Sequence, residues 1–598
     1  MKTMKKQIYT VALGWGLVGL LSGCNDSFLE RYPETTITEK VYFRNVGDLE
    51  SYTNNMYGYL GSSYWDVVSD NVLYKEESST YAMLRGELNA DDAGTWGWGS
   101  IRNVNFMLAR TGNVTGDRAE INHYIGIARM MRAKLYYDKV KDYSDVPWYS
   151  RDLQTTDIEE LYKPQDPREL VVDSIMADLD FAVKNMKPGA SKTRIYRNVA
   201  LALQARIALY EGTFRKYHTE LGLDDADRFL QIAVSAAEQL MDGTYSLSEV
   251  KSGNLEAYES LFCSLDLTTN PEMILVEDYD KTLGRLHNAQ QVCDFYNGLS
   301  KDLMEDYLVV EGNQVKTFQS VPGYETKTYK EIFENRDPRL RQTFMWPGYK
   351  KADENEPHRL TLGAGGYPQI KFDPRTYDQL DWGVSYTDLP VFRYAEILLI
   401  YAEAKAELGI LTQEDVDKSI NLIRKRVGMP GASLSDWLAD IDPVQERHYP
   451  NVISAQKGAI LEIRRERRVE LACEGFRYGD LMRWSCGKLM EKAPEGMYIP
   501  KLGMYDTTGD GNPDFAIVKS EAEANQIPAE DKEKYRLTIY VLEGNTIGLT
   551  EGDKGYIRLV SQVGKFTFEE PKYYYYPLDT DDLKNNKNLV QNKYWATK

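Results

Sequence analysis

Residues 461–484, LEIRRERRVELACEGFRYGDLMRW, constrain the fold more than any other stretch. Ile460, Ile463, Arg467 and Leu471 recur at helical spacing, which puts Arg467 on the apolar stripe of a helix. The same run carries Arg464, Arg465, Glu466, Arg468, Glu470 and Glu474. A guanidinium on a buried face persists only when carboxylates or carbonyls match its fork. The stretch therefore predicts a structural ion-pair lattice, with Arg467–Glu470 and Glu474–Arg477 spaced to pair on one face. Gly475 is placed to close the helix, and Phe476, Tyr478, Leu481, Met482 and Trp484 return an apolar face to a core. Framework explains this composition better than a catalytic role for Glu470 or Glu474.

A chain of 598 residues can bury a large core as one domain or several. Its 43 Tyr and 10 Trp are the unusual part of the composition, because these rings suit surfaces that are both flat and wettable. With 72 Lys and Arg against 91 Asp and Glu, the net charge of −19 disfavours nucleic acid. The sequence has no Gly-rich phosphate loop, no CxxC pair and no HExxH, and five scattered His make a catalytic zinc site an unsuitable reading. Carboxylate pairs are inevitable among 91 acidic residues, and neither a nucleophile elbow nor a His-based triad accompanies them, so no enzyme is expected.

The N-terminus reads as an export signal. Lys2, Lys5 and Lys6 precede an apolar run, Val11 to Leu21, too short to span a bilayer. Leu21-Ser22-Gly23-Cys24 resembles the bacterial lipobox, so residues 1–23 are expected to be removed and Cys24 to carry the lipid. Residues 24–40 form a polar tether. Export permits disulfides, but Cys263, Cys293, Cys473 and Cys486 allow three pairings and spacing does not choose among them; Cys473 reads as a buried thiol.

From residue 41 the chain reads as one mainly α domain. Four tetratricopeptide-like helix pairs are predicted: Ile121–Asp142 with Pro167–Met186, Tyr196–Tyr210 with Ala226–Leu240, Val391–Leu408 with Glu414–Val427, and Ser454–Ile460 with the opening stretch. Ala allows paired helices to approach and Tyr fills the adjacent notch. The hairpins thus occupy about 121–243 and 391–484, separated by a loop-rich, aromatic insertion with short strands at about 244–389. Loops on a rigid scaffold are where binding residues concentrate.

RRERRVELACEGFRYGDLMRW resembles the signature of the SusD/RagB family of outer-membrane nutrient-binding lipoproteins of the Bacteroidetes. Further segments resemble the family in the same order: Phe28, Leu29 and Pro33 after the lipobox, Tyr143 to Pro147, Asp337 to Leu340, Gly366 to Lys371, and Pro577 to Trp595. The resemblance implies a lipid-anchored, surface-exposed protein of the outer membrane. It also implies a SusC-like TonB-dependent transporter as partner and an oligosaccharide or polysaccharide as ligand. A peptide or glycopeptide receptor of the RagB kind, or a lid that closes the transporter without a ligand of its own, are the alternatives.

Candidate ligand contacts follow from exposed aromatics and polar neighbours. Trp96 and Trp98 lie among glycines ahead of a helix; Trp98 is expected in the core and Trp96 exposed. Tyr296, Trp346 and Trp382 lie in the insertion, where the resemblance implies glycan contacts. Asp70, Asn71 and Arg375 are candidates for sugar hydroxyls. Asp506, Thr508, Asp510 and Asp514 have the spacing of a calcium loop with Gly511 at its sixth position, but Ile517 stands where the bidentate Glu belongs. Either a structural Ca2+ or a plain Asp/Gly turn fits; no other cofactor is expected.

Overall fold

The computed structural model describes residues 42–596 except 67, 92, 94, 95, 250–255, 292–296, 363 and 364. The signal segment, Cys24, the tether, Cys293 and Tyr296 lie outside the described residues. No helix among the described residues is long and apolar enough to cross a membrane.

Paired helices build the first part of the molecule. Helix α1 (Arg118–Tyr143) begins where the Asp117 carboxylate accepts the Ala119 amide and ends at Ser144, with φ +65°. It packs on α2 (Arg168–Asn185), and α3 (Arg197–Tyr217) packs on α4 (Ala226–Leu240). The alanine reading holds here: Ala200, Ala202, Ala205 and Ala208 of α3 and Ala233, Ala236 and Ala237 of α4 are all buried. Gly212 of α3 is required for this approach, since a Cβ there would lie 2.9 Å from the Leu230 side chain. Helix α5 (Tyr394–Glu407) packs against α4, and short helices Gln413–Asp417 and α6 (Ile420–Arg426) follow it.

The last pair differs from expectation. A single helix, α7 (Lys457–Glu470), absorbs the segment predicted as a separate partner, and it packs on α5. It stops at Glu470 rather than at Gly475, because Cys473 already adopts a left-handed φ of +67°. Gly475 is needed for a different reason: its φ is +78° and a Cβ would meet the Ser63 side chain at 2.8 Å. Helix α8 (Arg477–Arg483) then packs against α3.

Short strands organise the remainder. β1 (Val72–Tyr74) pairs with β3 (Asn297–Leu299), and β2 (Met273–Glu277) pairs antiparallel with β4 (Leu389–Arg393). Strands β2 and β4 are therefore the entrance and exit of the insertion. Beyond α8, β5 (Glu495–Ile499), β9 (Ile547–Leu549) and β10 (Gly555–Leu559) form one small sheet. β6 (Gly503–Tyr505), β7 (Phe515–Val518) and β8 (Thr538–Val541) form another. Two apolar clusters result. One is built by the helices and the other joins the insertion to these C-terminal sheets through residues such as Leu340, Phe344, Tyr367, Met497, Phe515 and Ile557.

The arginine-rich helix lies between the two clusters, and apart from Arg465–Glu462 its ion pairs reach to other segments. Glu470 accepts from Arg426 at 2.6 Å, Arg393 at 2.7 Å and Arg339 at 3.2 Å. Glu474 pairs with Arg393 at 2.6 Å and Lys371 at 2.7 Å, and Glu272 holds Arg393 and Arg426 at 3.0 Å. Arg467 pairs with Asp480 at 2.8 Å, and Arg477 with Asp70 at 2.7 Å. The lattice is real, but the two intrahelical pairs expected from spacing are not used. Buried carboxylates are stabilised by several guanidinium groups each, and one neighbour three residues away cannot supply that. Cys263, Cys473 and Cys486 are buried free thiols.

Burial opposes ionisation of Glu470, and Arg426, Arg393 and Arg339 together override it, holding the carboxyl below its ordinary value of 4.5. A carboxyl depressed in the folded state contributes stability above that value and loses it as the pH falls further. Glu470→Gln is expected to lower stability at pH 7 by about 3–5 kcal/mol, the cost of breaking a buried pair. It should also flatten the acid dependence below the ordinary carboxylate range, as read from urea midpoints across pH. A variant with the parent's midpoint and pH slope would remove Glu470 from its structural role.

Candidate functional site

Two loops grow from the paired ends of β2 and β4, and their backbones are tied together. The first, residues 278–291, turns back at Asp280, whose Oδ1 accepts the Thr282 amide and hydroxyl at 2.6 Å and the Leu283 amide at 3.1 Å. The second, residues 376–388, is joined to it where His287 and Ser385 exchange backbone hydrogen bonds of 2.8 and 3.1 Å. Asn288 Oδ1 accepts the Gly383 amide, and Lys281 Nζ lies 2.7 Å from Asp378. The Asp378 carboxylate also accepts from Thr376 and from Tyr386 Oη. Lys281, Thr376 and Tyr386 together hold its pKa down at about 2.

Buried polar groups fix the floor of this double loop. His287 accepts the Ala289 amide at Nδ1 and donates from Nε2 to the Thr387 carbonyl at 2.9 Å, which sets the neutral tautomer. Burial lowers its pKa below the ordinary value, so the ring stays neutral at pH 7. The Asp388 carboxylate accepts the amides of Leu267 at 2.8 Å and Tyr279 at 3.0 Å. Burial pushes its pKa up to about 6. A third segment closes one side: Tyr64 lies 6.0 Å from His287 and 5.4 Å from Trp65, and Tyr279 meets His287 edge-on at 4.5 Å.

With the backbone satisfied from below, large apolar side chains are left uncovered above. Tyr377 is 76% exposed, Leu283 72% and Trp382 53%. Three large exposed side chains on one pair of cross-tied loops point to a contact surface. Of the aromatic candidates chosen from sequence, Trp382 alone is seen on this platform, and Tyr296 lies outside the described residues. Trp65, Tyr279, Leu283, Tyr377 and Tyr386 were not singled out. The usable signal was the setting of Trp382 between Asp381 and Gly383, and of Tyr377 between Thr376 and Asp378, residue types that form turns and leave a ring outside the core.

The other candidates take different places. Asp70 is buried between Arg468 at 3.0 Å and Arg477 at 2.7 Å, and Asn71 bridges Arg468 and Asp66. Both belong to the lattice because the arginines of α7 and α8 need acceptors, so neither offers a sugar contact. Arg375 clamps Glu259 at 2.6 Å and Asp373 at 3.2 Å, anchoring the second loop's base. Trp346 is half-buried against the second cluster, with Arg341 5.4 Å from its ring.

Trp96 is not exposed as expected: it is buried, its ring edge-on to Tyr143 at 4.8 Å and its amide donating to Asp582, while Trp98 is partly buried against the same core. The C-terminal helix Thr580–Asn585 supplies the cover that the local sequence does not show. Lys139 Nζ lies 4.4 Å from the Trp98 ring and 5.5 Å from Trp96. Both indoles line a cleft of about 370 Å³ with Tyr149, Leu161 and Tyr162.

In the acidic loop, Asp506 accepts the Gly509 and Gly511 amides and the Thr508 hydroxyl. Asp514 accepts the Thr507 and Thr508 amides and faces Arg359 at 3.2 Å, and Asp510 accepts the Asn512 amide. These carboxylates are directed at the loop's own backbone. Among the described residues no three His, Cys, Asp or Glu side chains gather as a metal cage would require.

Comparison with known proteins adds to this geometry. Residues 274–595, from the first residues of β2 to the C-terminal segment, match the sequence model of the SusD family. The SusD-like protein P38 of Formosa agariphila is 23% identical over 504 residues, covering 78% of this chain and 89% of the relative. The crystal structure of a SusD-like carbohydrate binding protein from Bacteroides fragilis superposes with a TM-score of 0.63 at 19% identity, over 91% of this chain and 99% of that one. A laminarin binding SusD-like protein superposes at 0.53 with 16% identity, over 92% and 100%. At these identities the structures establish the fold alone.

The division between lattice and platform has a direct consequence for stability. Asp70→Asn should lower the thermal midpoint by several degrees, since it strands two buried guanidinium groups at a cost of about 3–5 kcal/mol. Trp382→Ala and Tyr377→Ala should leave the midpoint within about a degree, because exposed side chains contribute about 0.5 kcal/mol or less. Calorimetric melts showing equal shifts for all three would contradict the assignment.

Proposed function

Because the chain belongs to the SusD family, we propose that it captures an oligosaccharide or polysaccharide on the platform of Tyr377, Trp382, Tyr279 and Tyr386. The observation that carries this reading is the uncovered pair Tyr377 and Trp382 on loops whose own polar groups are already satisfied. An aromatic ring held clear of the core offers its face to the C–H side of a pyranose, and carboxylates and amides at its edge accept the hydroxyls. Each contact is modest, so affinity is weak and grows with glycan length. Carbohydrate-binding and laminarin-binding relatives of the same fold support the ligand class.

The remaining parts of the proposal rest on the family. A lipid on Cys24 holds the protein at the outer face of the outer membrane. A SusC-like TonB-dependent transporter receives the glycan, and no chemistry is performed on it. The apolar Trp98 cleft, lined by Tyr149, Leu161 and Tyr162, favours a second reading in which a peptide side chain is the ligand.

Trp382→Ala and Tyr377→Ala are each expected to weaken glycan binding by about tenfold, or about 1.4 kcal/mol, in affinity electrophoresis and calorimetry. Trp98→Ala should leave it unchanged. Loss of binding in Trp98→Ala with both platform variants intact would move the site to the cleft.

A further inference from the structure

We infer that the platform selects neutral glycans and rejects anionic ones such as uronates and sulfate esters, a preference that rests on the glycan reading above. Strand end and first loop, residues 277–291, together with the second loop, residues 376–388, carry six carboxylates against two cations. The carboxylates are Glu277, Asp278, Asp280, Asp378, Asp381 and Asp388, and the cations are Lys281 and Arg285. Lys281 is neutralised by Asp378 at 2.7 Å. Arg285 lies 6.0 Å from the Tyr279 ring, and its charge is offset by Asp280, whose carboxylate it helps to keep ionised.

The carboxylates nearest the exposed rings are fixed in place. Asp381 Oδ1 accepts the Trp382 amide at 2.8 Å, and Asp353, from a neighbouring segment, accepts the Tyr377 amide at 3.2 Å. A sugar stacked on Trp382 therefore lies within a screening length of Asp381, and one on Tyr377 within that of Asp353, roughly 8–10 Å at moderate salt. A sulfate or uronate there meets like charge at short range, and the chain's net charge of −19 adds to the repulsion at long range. Hydroxyl groups gain instead, because ionised carboxylates are acceptors only and bind O–H donors more strongly than neutral oxygens do. The same side chains that exclude an anionic sugar thus hold a neutral one.

The test is affinity electrophoresis of the full chain in detergent through gels holding laminarin, starch, galactomannan or xyloglucan, and through gels holding alginate, polygalacturonate or chondroitin sulfate. The expected result is retardation by at least one neutral polysaccharide, lost in both Trp382→Ala and Tyr377→Ala, and none by the anionic set. Calorimetric affinity for the neutral glycan should change by less than about twofold between about 0.05 and 0.5 M NaCl. Retardation by an anionic polysaccharide that both variants abolish would overturn the neutral preference while leaving glycan capture standing. Retardation by no polysaccharide of either class would overturn glycan capture itself, and the preference with it.

Discussion

Buried charge is the constraint on which this structure depends. Arg339, Arg393, Arg424, Arg426 and the arginines of α7 lie in the interior, where an unmatched guanidinium would cost several kcal/mol. The first four are tolerated because Glu272, Glu466, Glu470 and Glu474 converge on them, and the arginines of α7 because Glu407, Asp442, Asp480, Asp70 and Asp306 receive them from other segments. Such a network adds little net stability over a well-packed apolar core, but it penalises every arrangement in which one partner is displaced. Position is what it secures. Arg393 is the last residue of β4 and Glu272 the residue before β2, so the lattice grips the insertion at both of its roots.

The double-loop platform inherits that rigidity. β2 and β4 run from the lattice to the double loop, and the loops are cross-tied by His287–Ser385, Asn288–Gly383 and Lys281–Asp378. Loops held this way lose little further freedom on binding, which matters most when each contact with a sugar is weak. The same loops leave Tyr377, Leu283 and Trp382 largely exposed.

Helix pairs and the lattice were legible in the sequence because both depend on local regularities. Periodic apolar residues locate α1, α2 and α4 within a few residues, and α3 at its start though it runs on to Tyr217, seven past the expected Tyr210; eight charges on α7 demand partners whatever those partners are. Which partners was not legible. Asp70 looked like a free polar residue because Arg468 and Arg477, which bury it, lie about four hundred positions away. The burial of Trp96 was hidden for a similar reason, since its backbone amide is held by Asp582 of Thr580–Asn585, nearly five hundred positions away. The C-terminal sheets escaped notice because strands of three to five residues leave too short an alternation to read. Exposure of Trp382 was inferable from its turn-forming neighbours, whereas its grouping with Tyr377 and Leu283 required the pairing of β2 with β4.

A platform carried on β2 and β4 is proposed to receive the glycan. Hydrogen–deuterium exchange of the full chain, with and without a saturating oligosaccharide that it binds, tests this most directly. Added protection confined to residues 277–291 and 376–388, with 96–105 and 580–589 unchanged, is the predicted result. Protection centred on the Trp98 cleft, or absent from both loops while binding is saturated, would contradict it.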